Sequence, residues 1–410
     1  MLRYSVSKNA DINLNDLTVA LLNYIISQQK QSGFFIRVED SDKNNIDESK
    51  IQDAITVLKK FAINTEAVVN QSSNLNIYAQ LATNLTKEKK AFTCFCNEES
   101  NECTQNCQEL EQADIEKKVN SGKKYSVRVI KPDENIIFSD NILGKIEATP
   151  KEIGNILILH KNGLPSSNFA TAVDDMSASI ETIIGRKDNI ENTLKQIYIH
   201  KLLNYSSNIE YAHLPNIKNL DNISLKWLLQ EGFLPDAIIN YLLTLVSGED
   251  RGLFYLPDAI ERLNIYNISK EPKEFNLEKL KELNRKHLDN FDSVKLSKIF
   301  GFADSDIGEL LKLYLEDSST IKELDEHIIA TFAPKPCTKE VQEIVNIIKN
   351  APYIESFNEF IDYIKNHSSL DKDSIINTVR VLLTGSDKSP NLELIYRYIN
   401  PYILEVAKCR

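Results

Sequence analysis

A chain of 410 residues is longer than one ordinary hydrophobic core accommodates, so two or three domains are expected. Its 42% hydrophobic and 26% charged residues place it with soluble globular proteins, and the net charge of −11 excludes a protein that holds nucleic acid through its overall field, though not one that uses a local basic face. No apolar run approaches the ~20 residues that span a bilayer, and no export signal opens the sequence, so a cytoplasmic protein is expected.

In chain order, residues 16–30 put Leu17, Leu21, Tyr24 and Ile25 on one face, with Asp16 as a cap and Gly33 beyond the end, which predicts a helix. The apolar run Phe34-Phe35-Ile36 then turns abruptly into Arg37, Glu39, Asp40 and Asp42, followed by Lys43 and Asn44. Residues 34–39 read as a strand. In open α/β sheets ligands bind outside the carboxyl ends of the strands, so this one is expected to carry acidic groups to a pocket rim, although a solvated strand end would have the same composition. Asp47 caps a second helix with Ile51, Ala54, Ile55, Leu58 and Phe61 inward, completing the rhythm of a parallel α/β unit.

Between residues 90 and 150 the character changes, and an inserted subdomain is expected. Four of the six cysteines, Cys94, Cys96, Cys103 and Cys107, fall here, which in an unexported chain points to metal before disulfides. Four thiolates have the softness and number for tetrahedral zinc, and the Cys103-x-x-x-Cys107 spacing puts two of them on one helical face. Such a site would be closed and structural; four reduced surface thiols are the alternative. Cys337 and Cys409 show no partner. Lys117, Lys118, Lys123, Lys124, Arg128 and Lys131 make a basic stretch, a pattern that a solvated lysine-rich face shares. Residues 155–175 resume a buried strand and turn, with Asn162-Gly163 as a hairpin signal. From about residue 225 the pattern is nearly all helical, with Trp227, Leu228 and Phe233 as core.

Taken together, these blocks resemble the glutamyl-tRNA synthetase family of class I aminoacyl-tRNA synthetases. "ALLNYIISQQKQSGFFIRVEDSD" (20–42) is similar to the family's helix followed by "FILRIEDTD", and "KAFTCFC" (90–96) to the start of its zinc-bearing insertion. "NFATAVDD" (168–175), "NTLKQI" (192–197), "YAHLP" (211–215), "WLLQEGFLPDAIINYLL" (227–243) and "VRVLLTG" (379–385) are similar to further family blocks in the same order. The resemblance implies an α/β plus all-α protein. A Rossmann-type class I catalytic domain would cover 1–89 and 151–240, an inserted acceptor-binding-like subdomain with a zinc site 90–150, a helical connecting domain 241–300, and a helical anticodon-binding-like domain 301–410. The family reaction joins ATP and glutamate into an adenylate, then transfers glutamate to a tRNA 3′ end. By resemblance Arg3, Ser7 and Glu39 would hold glutamate, with Glu39 on its ammonium, and Lys117, Lys118, Lys123, Lys124 and Arg128 would meet the tRNA acceptor.

The departures are as informative. The family's His-Ile-Gly-His signature falls on Asn13-Leu14-Asn15-Asp16, where Asp16 would repel a triphosphate. Its Ser-Pro-Thr-Gly turn falls on Ser7-Lys8-Asn9-Ala10. Its Lys-Met-Ser-Lys loop is reduced to residues 216–224, with Lys218 the sole lysine. Ser167 stands where the family has tyrosine and Gly185 where it has arginine, with Arg186 as the adjacent substitute. Losing one preorganised donor costs ~2.7–4 kcal/mol; losing two signatures would slow adenylation about 10⁴-fold or more. The expectation is a catalytically impaired paralogue, a pseudoenzyme with a tRNA- or synthetase-associated role in translation. Zinc would be structural, use of ATP would be lost or severely weakened, tRNA or a true synthetase would be the partner, and neither membrane nor DNA would be. Two alternatives stand beside it: an active glutamate–tRNA ligase with replaced ATP contacts, and a protein-interaction scaffold without tRNA.

Overall fold

The computed structural model describes residues 1–7, 11–42, 47–100, 102–206, 208–250 and 252–410. Lys8, Asn9 and Ala10 of the opening turn, and Lys43 and Asn44 of the acidic knot, lie outside the described residues. Two compact units emerge, one of residues 1–225 with 242–275, the other of residues 226–241 with 276–410.

The first unit is α/β. Strands β1 (Leu2–Val6), β2 (Phe34–Val38) and β3 (Ala67–Asn70) pair in parallel, with Leu2 opposite Phe34. Every residue of β2 is buried, as its unbroken apolar run requires of a strand covered on both faces. Between these strands run α1 (Leu14–Gln29), α2 (Glu48–Lys60) and, after β3, α3 (Leu75–Lys87). The cap of α1 is Asn13 rather than Asp16: the Asn13 side chain accepts from Asp16 N, and the Asp16 carboxylate accepts from Asn13 N, a reciprocal box. Asp47 caps α2 as its sequence predicts, and Ile51, Ala54, Ile55, Leu58 and Phe61 are buried.

The insertion contributes β4 (Ala91–Cys94), α4 (Gln112–Asn120) and β5 (Ser126–Val129). Strands β6 (Ile136–Asp140) and β7 (Gly144–Ala148), helix α5 (Pro150–Ile153) and strand β8 (Leu157–Leu159) follow. Then come α6 (Ser167–Ser177), β9 (Thr182–Arg186), α7 (Ile190–Leu202) and β10 (Glu210–Leu214). Strands β4, β5 and β8 form an antiparallel sheet of their own. The third sheet runs β7-β6-β10-β9, with β6 and β9 parallel to β10. The Glu181 N–H donates to the Met1 carbonyl, and Asn23 of α1 donates to Ile184 of β9, so α1 ties the first sheet to the third. Gly163 does turn the chain, at φ +84°, but its return arm is a single bridge between Leu159 and Pro165 before α6 begins.

From α8 (Leu225–Gln230) onward the chain is helical, through α9 (Pro235–Ser247), α10 (Leu256–Arg262) and α11 (Leu277–Asp289). It continues with α12 (Ser293–Ile299), α13 (Asp306–Leu313), α14 (Ile321–Phe332) and α15 (Lys339–Asn350). It ends with α16 (Phe357–His367), α17 (Lys372–Thr384), α18 (Leu392–Ile399) and α19 (Ile403–Val406). The second unit is built around Leu288, Leu296, Leu310, Ile344, Ile375 and Leu382. Gly308 lets α13 cross α12, because a Cβ there would sit 2.0 Å from the Ser293 carbonyl oxygen. Cys337 and Cys409, without a visible partner in the sequence, are joined as a disulfide. Among the described residues no helix is long and apolar enough to cross a membrane.

Candidate active site and metal centre

At the carboxyl ends of β1, β2, β9 and β10 lies a cavity of about 230 Å³. The acidic knot that ends β2 divides its labour there. Glu39, half-buried, faces the cavity. Asp40 does not: 5% exposed, it accepts from Asn70 Nδ2, Ser72 N and Ser72 Oγ at 2.7–2.9 Å and fixes the turn before α3. Arg37 is buried against Asp175 at 2.7 Å and also donates to Ser5.

Arg3 lines the same cavity, but its Nε and Nη2 donate to the two carboxylate oxygens of Asp175 at 2.9 and 2.7 Å. Burial alone would raise the Asp175 carboxyl, yet the Arg3 and Arg37 guanidiniums hold it below its usual range. Among the described residues no bond engages Arg3 Nη1, which leaves one guanidinium corner for a ligand. Ser7 is exposed beyond the end of β1 and stands outside the lining. Asp174, beside Asp175 on α6, accepts from Gln71, Asn74 and Tyr78. The acidic pair therefore braces α6 against its neighbours.

The mouth of the cavity carries an ion triad. Arg186 donates through Nε and Nη2 to Asp188 and through Nη1 to Asp16, the last at 3.2 Å. The hydrogen bond from Arg186, ahead of any other influence, holds the Asp188 carboxyl below its usual value. Arg186 thus arrives at the cavity already neutralised. Gly185 leaves a gap beside it, because a Cβ there would meet nothing nearer than His213 Cδ2 at 3.5 Å.

His213 stands in the YAHLP block, and its partners come from distant parts of the chain. His213 Nδ1 lies 2.6 Å from Asp140 Oδ2 and Nε2 lies 2.9 Å from Thr193 Oγ1, all three side chains being buried. Burial pushes the Asp140 carboxyl up, but the His213 bond and the Ile142 and Leu143 N–H groups bring it below its usual value. The relay locks β6, β10 and α7 into one wall. Its sequence signal is slight, an aspartate closing the strand Ile136-Ile137-Phe138-Ser139-Asp140.

In the insertion, Cys94, Cys96, Cys103 and Cys107 converge with all four sulfurs within 4.8 Å of one another. The closest pairs are 3.7, 3.7 and 3.9 Å apart. A tetrahedron with Zn–S of ~2.3 Å has edges of about 3.8 Å, so the donor set fits zinc in both chemistry and size. Cys103 and Cys107 meet through a left-handed turn at Asn106 (φ +48°), not on a helical face as their spacing suggested. The Cys107 N–H donates to Cys103 Sγ at 3.2 Å, and the Phe95 N–H to Cys107 Sγ at 3.5 Å.

Arg128 is the strut of this loop. It is 1% exposed and donates to the carbonyls of Asn97, Glu98 and Asn155, while Asn155 accepts the Cys103 N–H. Burial corrects the expectation that Arg128 contacts RNA. Lys117, Lys123 and Lys124 are exposed, and Lys118 and Lys123 lie over the Phe95 ring at 5.2 and 5.8 Å.

A parallel sheet with an inserted small sheet, a cavity at its strand ends and a trailing helical unit is the layout of a class I synthetase. The family profile described as "tRNA synthetases class I (E and Q), catalytic domain" matches residues 2–282. A protein of Sulfurovum sp. named glutamate–tRNA ligase 2 is 38% identical over 427 aligned positions, covering 99% of this chain and all of its own. A protein of the same name from Sulfurimonas denitrificans is 38% identical over the whole of both chains. The chain belongs to the glutamyl-tRNA synthetase family. Its fold matches the crystal structure of a glutamate tRNA ligase from Elizabethkingia meningosepticum in complex with its amino acid, with a TM-score of 0.79, 16% identity and coverage of 99% and 97% of the two chains.

Proposed function

We propose that this chain is a catalytically impaired glutamyl-tRNA synthetase paralogue that acts in the cytoplasm in association with tRNA or with a true synthetase. The observation that carries this reading is the Asp16–Arg186–Asp188 triad. In the family register Asp16 occupies the last position of the first ATP signature, and it presents a carboxylate to the space a triphosphate would need. Arg186, the nearest cation among the described residues, is spent on the two aspartates. Asn13 spends its side chain on the helix cap.

Two features support the same conclusion. The segment between β10 and α8 is short, and Lys218, its one lysine, is exposed and sits where the backbone bridges to Glu274. The cavity of about 230 Å³ suits a free amino acid better than an adenylate, since pockets for drug-sized ligands run from roughly 300 to 1,000 Å³. Glutamate binding survives in this reading, with Glu39 on the ammonium and Arg3 Nη1 on the side-chain carboxylate. The exposed Lys117, Lys123 and Lys124 and the half-buried Lys118 serve as RNA contacts, and the cysteine cluster holds a structural zinc that stabilises the insertion.

The decisive measurement is pyrophosphate exchange with glutamate, alongside calorimetric titration with a glutamyl-sulfamoyl-adenosine analogue. No exchange and no heat are expected. Exchange at the rate of an active synthetase would instead establish the ligase reading.

A further inference from the structure

A second cavity, of about 570 Å³, opens between α3, the turn from α4 to β5 and the turn after β8. It is more than twice the size of the first and falls inside the range of roughly 300–1,000 Å³ that houses nucleotide-sized ligands. Lys87, Lys123, Lys124 and Lys161 line it together with His160, and no aspartate or glutamate is in the lining. In a chain with 59 acidic and 48 basic residues, a carboxylate-free wall of four lysines is a departure from the average.

None of the four ammonium groups forms an ion pair among the described residues. Glu98, which lies next to His160, is outside the lining, and its oxygens are occupied by His160 Nδ1 and the Lys161 N–H. Like charges gathered in a concavity raise a positive potential that a multiply charged anion relieves. Tyr125 lines the cavity 41% exposed, its ring braced edge-on by Phe95 at 6.2 Å, and so offers an aromatic face beside the lysines.

We propose that this second cavity binds a free nucleoside polyphosphate, apart from the amino-acid cavity at the ends of β1, β2, β9 and β10. Lys123 and Lys124 from one turn and Lys161 from another hold the phosphates, and Tyr125 stacks on the base. The site needs no adenylation chemistry and does not rest on the impaired-paralogue reading. The phosphates of an RNA strand carry the same charge, so the test separates the two sources.

The test follows the fluorescence of N-methylanthraniloyl-ATP on the full-length chain, with pyrophosphate and bulk tRNA as competitors. Saturable binding is expected, displaced by pyrophosphate and weakened by added salt. The double substitution Lys123→Glu/Lys124→Glu should weaken it at least tenfold, and Lys161→Glu, on a separate turn, should do the same if the double variant folds poorly. Asn192→Glu, which adds a carboxylate to the wall of the first cavity, should leave the signal in place. Loss of the signal in Asn192→Glu would locate the nucleotide in the first cavity, overturning this proposal and the impaired-paralogue reading together. Absence of saturable binding at millimolar nucleotide, or binding indifferent to the lysine substitutions, overturns this proposal alone. So does binding of tRNA to the lysine wall with no binding of the free nucleotide.

Discussion

Arg3 and Asp175 meet edge to edge, Nε to Oδ1 at 2.9 Å and Nη2 to Oδ2 at 2.7 Å, across 172 residues of sequence. Arg37 completes the cluster on Oδ1 at 2.7 Å, so one buried carboxylate neutralises two guanidiniums drawn from β1 and β2. Removing it would strand the Arg3 charge and leave Arg37 with Glu39 alone, at 3.7 Å. Asp175→Asn is therefore expected to destabilise the first unit by about 3–5 kcal/mol, the usual cost of breaking a buried pair from one side. The folded-state pKa of Asp175 is depressed, so its contribution is complete above the unfolded value of ~3.9 and is lost as pH falls through the lower folded value. Urea unfolding at pH 7 and pH 3 checks both statements. A variant with a wild-type midpoint at pH 7 would rule out this role for Asp175.

The four-thiol cluster makes a separate prediction. The purified chain should carry one zinc, and Cys96→Ser or Cys107→Ser should abolish it, because each removes one vertex of a four-coordinate site. Stripping the metal should open the loop between Cys94 and Cys107 to protease while leaving the helical unit resistant. Elemental analysis and limited proteolysis read these outcomes. A metal-free chain with four thiols that react rapidly with a disulfide reagent would eliminate the site.

Local order was legible and long-range commitment was not. The apolar periodicity of α1 and α2 and the buried run of β2 can be read directly, since period and burial are properties of neighbouring residues. The cysteine set was legible by type, but its backbone was not: the i, i+4 spacing suggested a helix, and Asn106 at φ +48° turns the chain instead. Arg128 shows the limit of charge counting. A basic stretch reveals how many cations there are, not which one points inward. The partners of Arg3, His213 and Cys409 lie 172, 73 and 72 residues away, and no local pattern encodes such contacts.

Gly185 leaves a gap where the family has arginine, and the geometry permits refilling it. A Cβ at 185 would make only ordinary contacts with His213, and no positive φ demands glycine there. Gly185→Arg should fold as the wild type does. It should also add a charged donor to the cavity, worth about 1.5–3 kcal/mol, which tightens glutamate binding roughly tenfold or more. Calorimetric titration of both chains with glutamate measures the gain. An unchanged affinity in a well-folded variant would show that glutamate does not occupy this cavity.

Lys335 supplies a prediction for the second unit that works through pH. It is 3% exposed and donates to the Thr331 carbonyl at the end of α14, and burial pulls its ammonium from the usual 10.5 down to about 8. The sign follows from proton counting. Between about pH 8 and 10.5 the unfolded chain binds more protons at this lysine than the folded chain does, so stability should rise with pH over that interval. Lys335→Met keeps the stem buried and removes the titrating group. The variant should be at least as stable as the wild type at pH 7, and its stability should not rise between pH 7.5 and about 9.5, a range chosen to stay below the tyrosine ionisations near 10. Urea midpoints at several pH values provide the comparison. Parallel profiles for the two chains would mean that the Lys335 amine titrates as an ordinary solvent-exposed lysine.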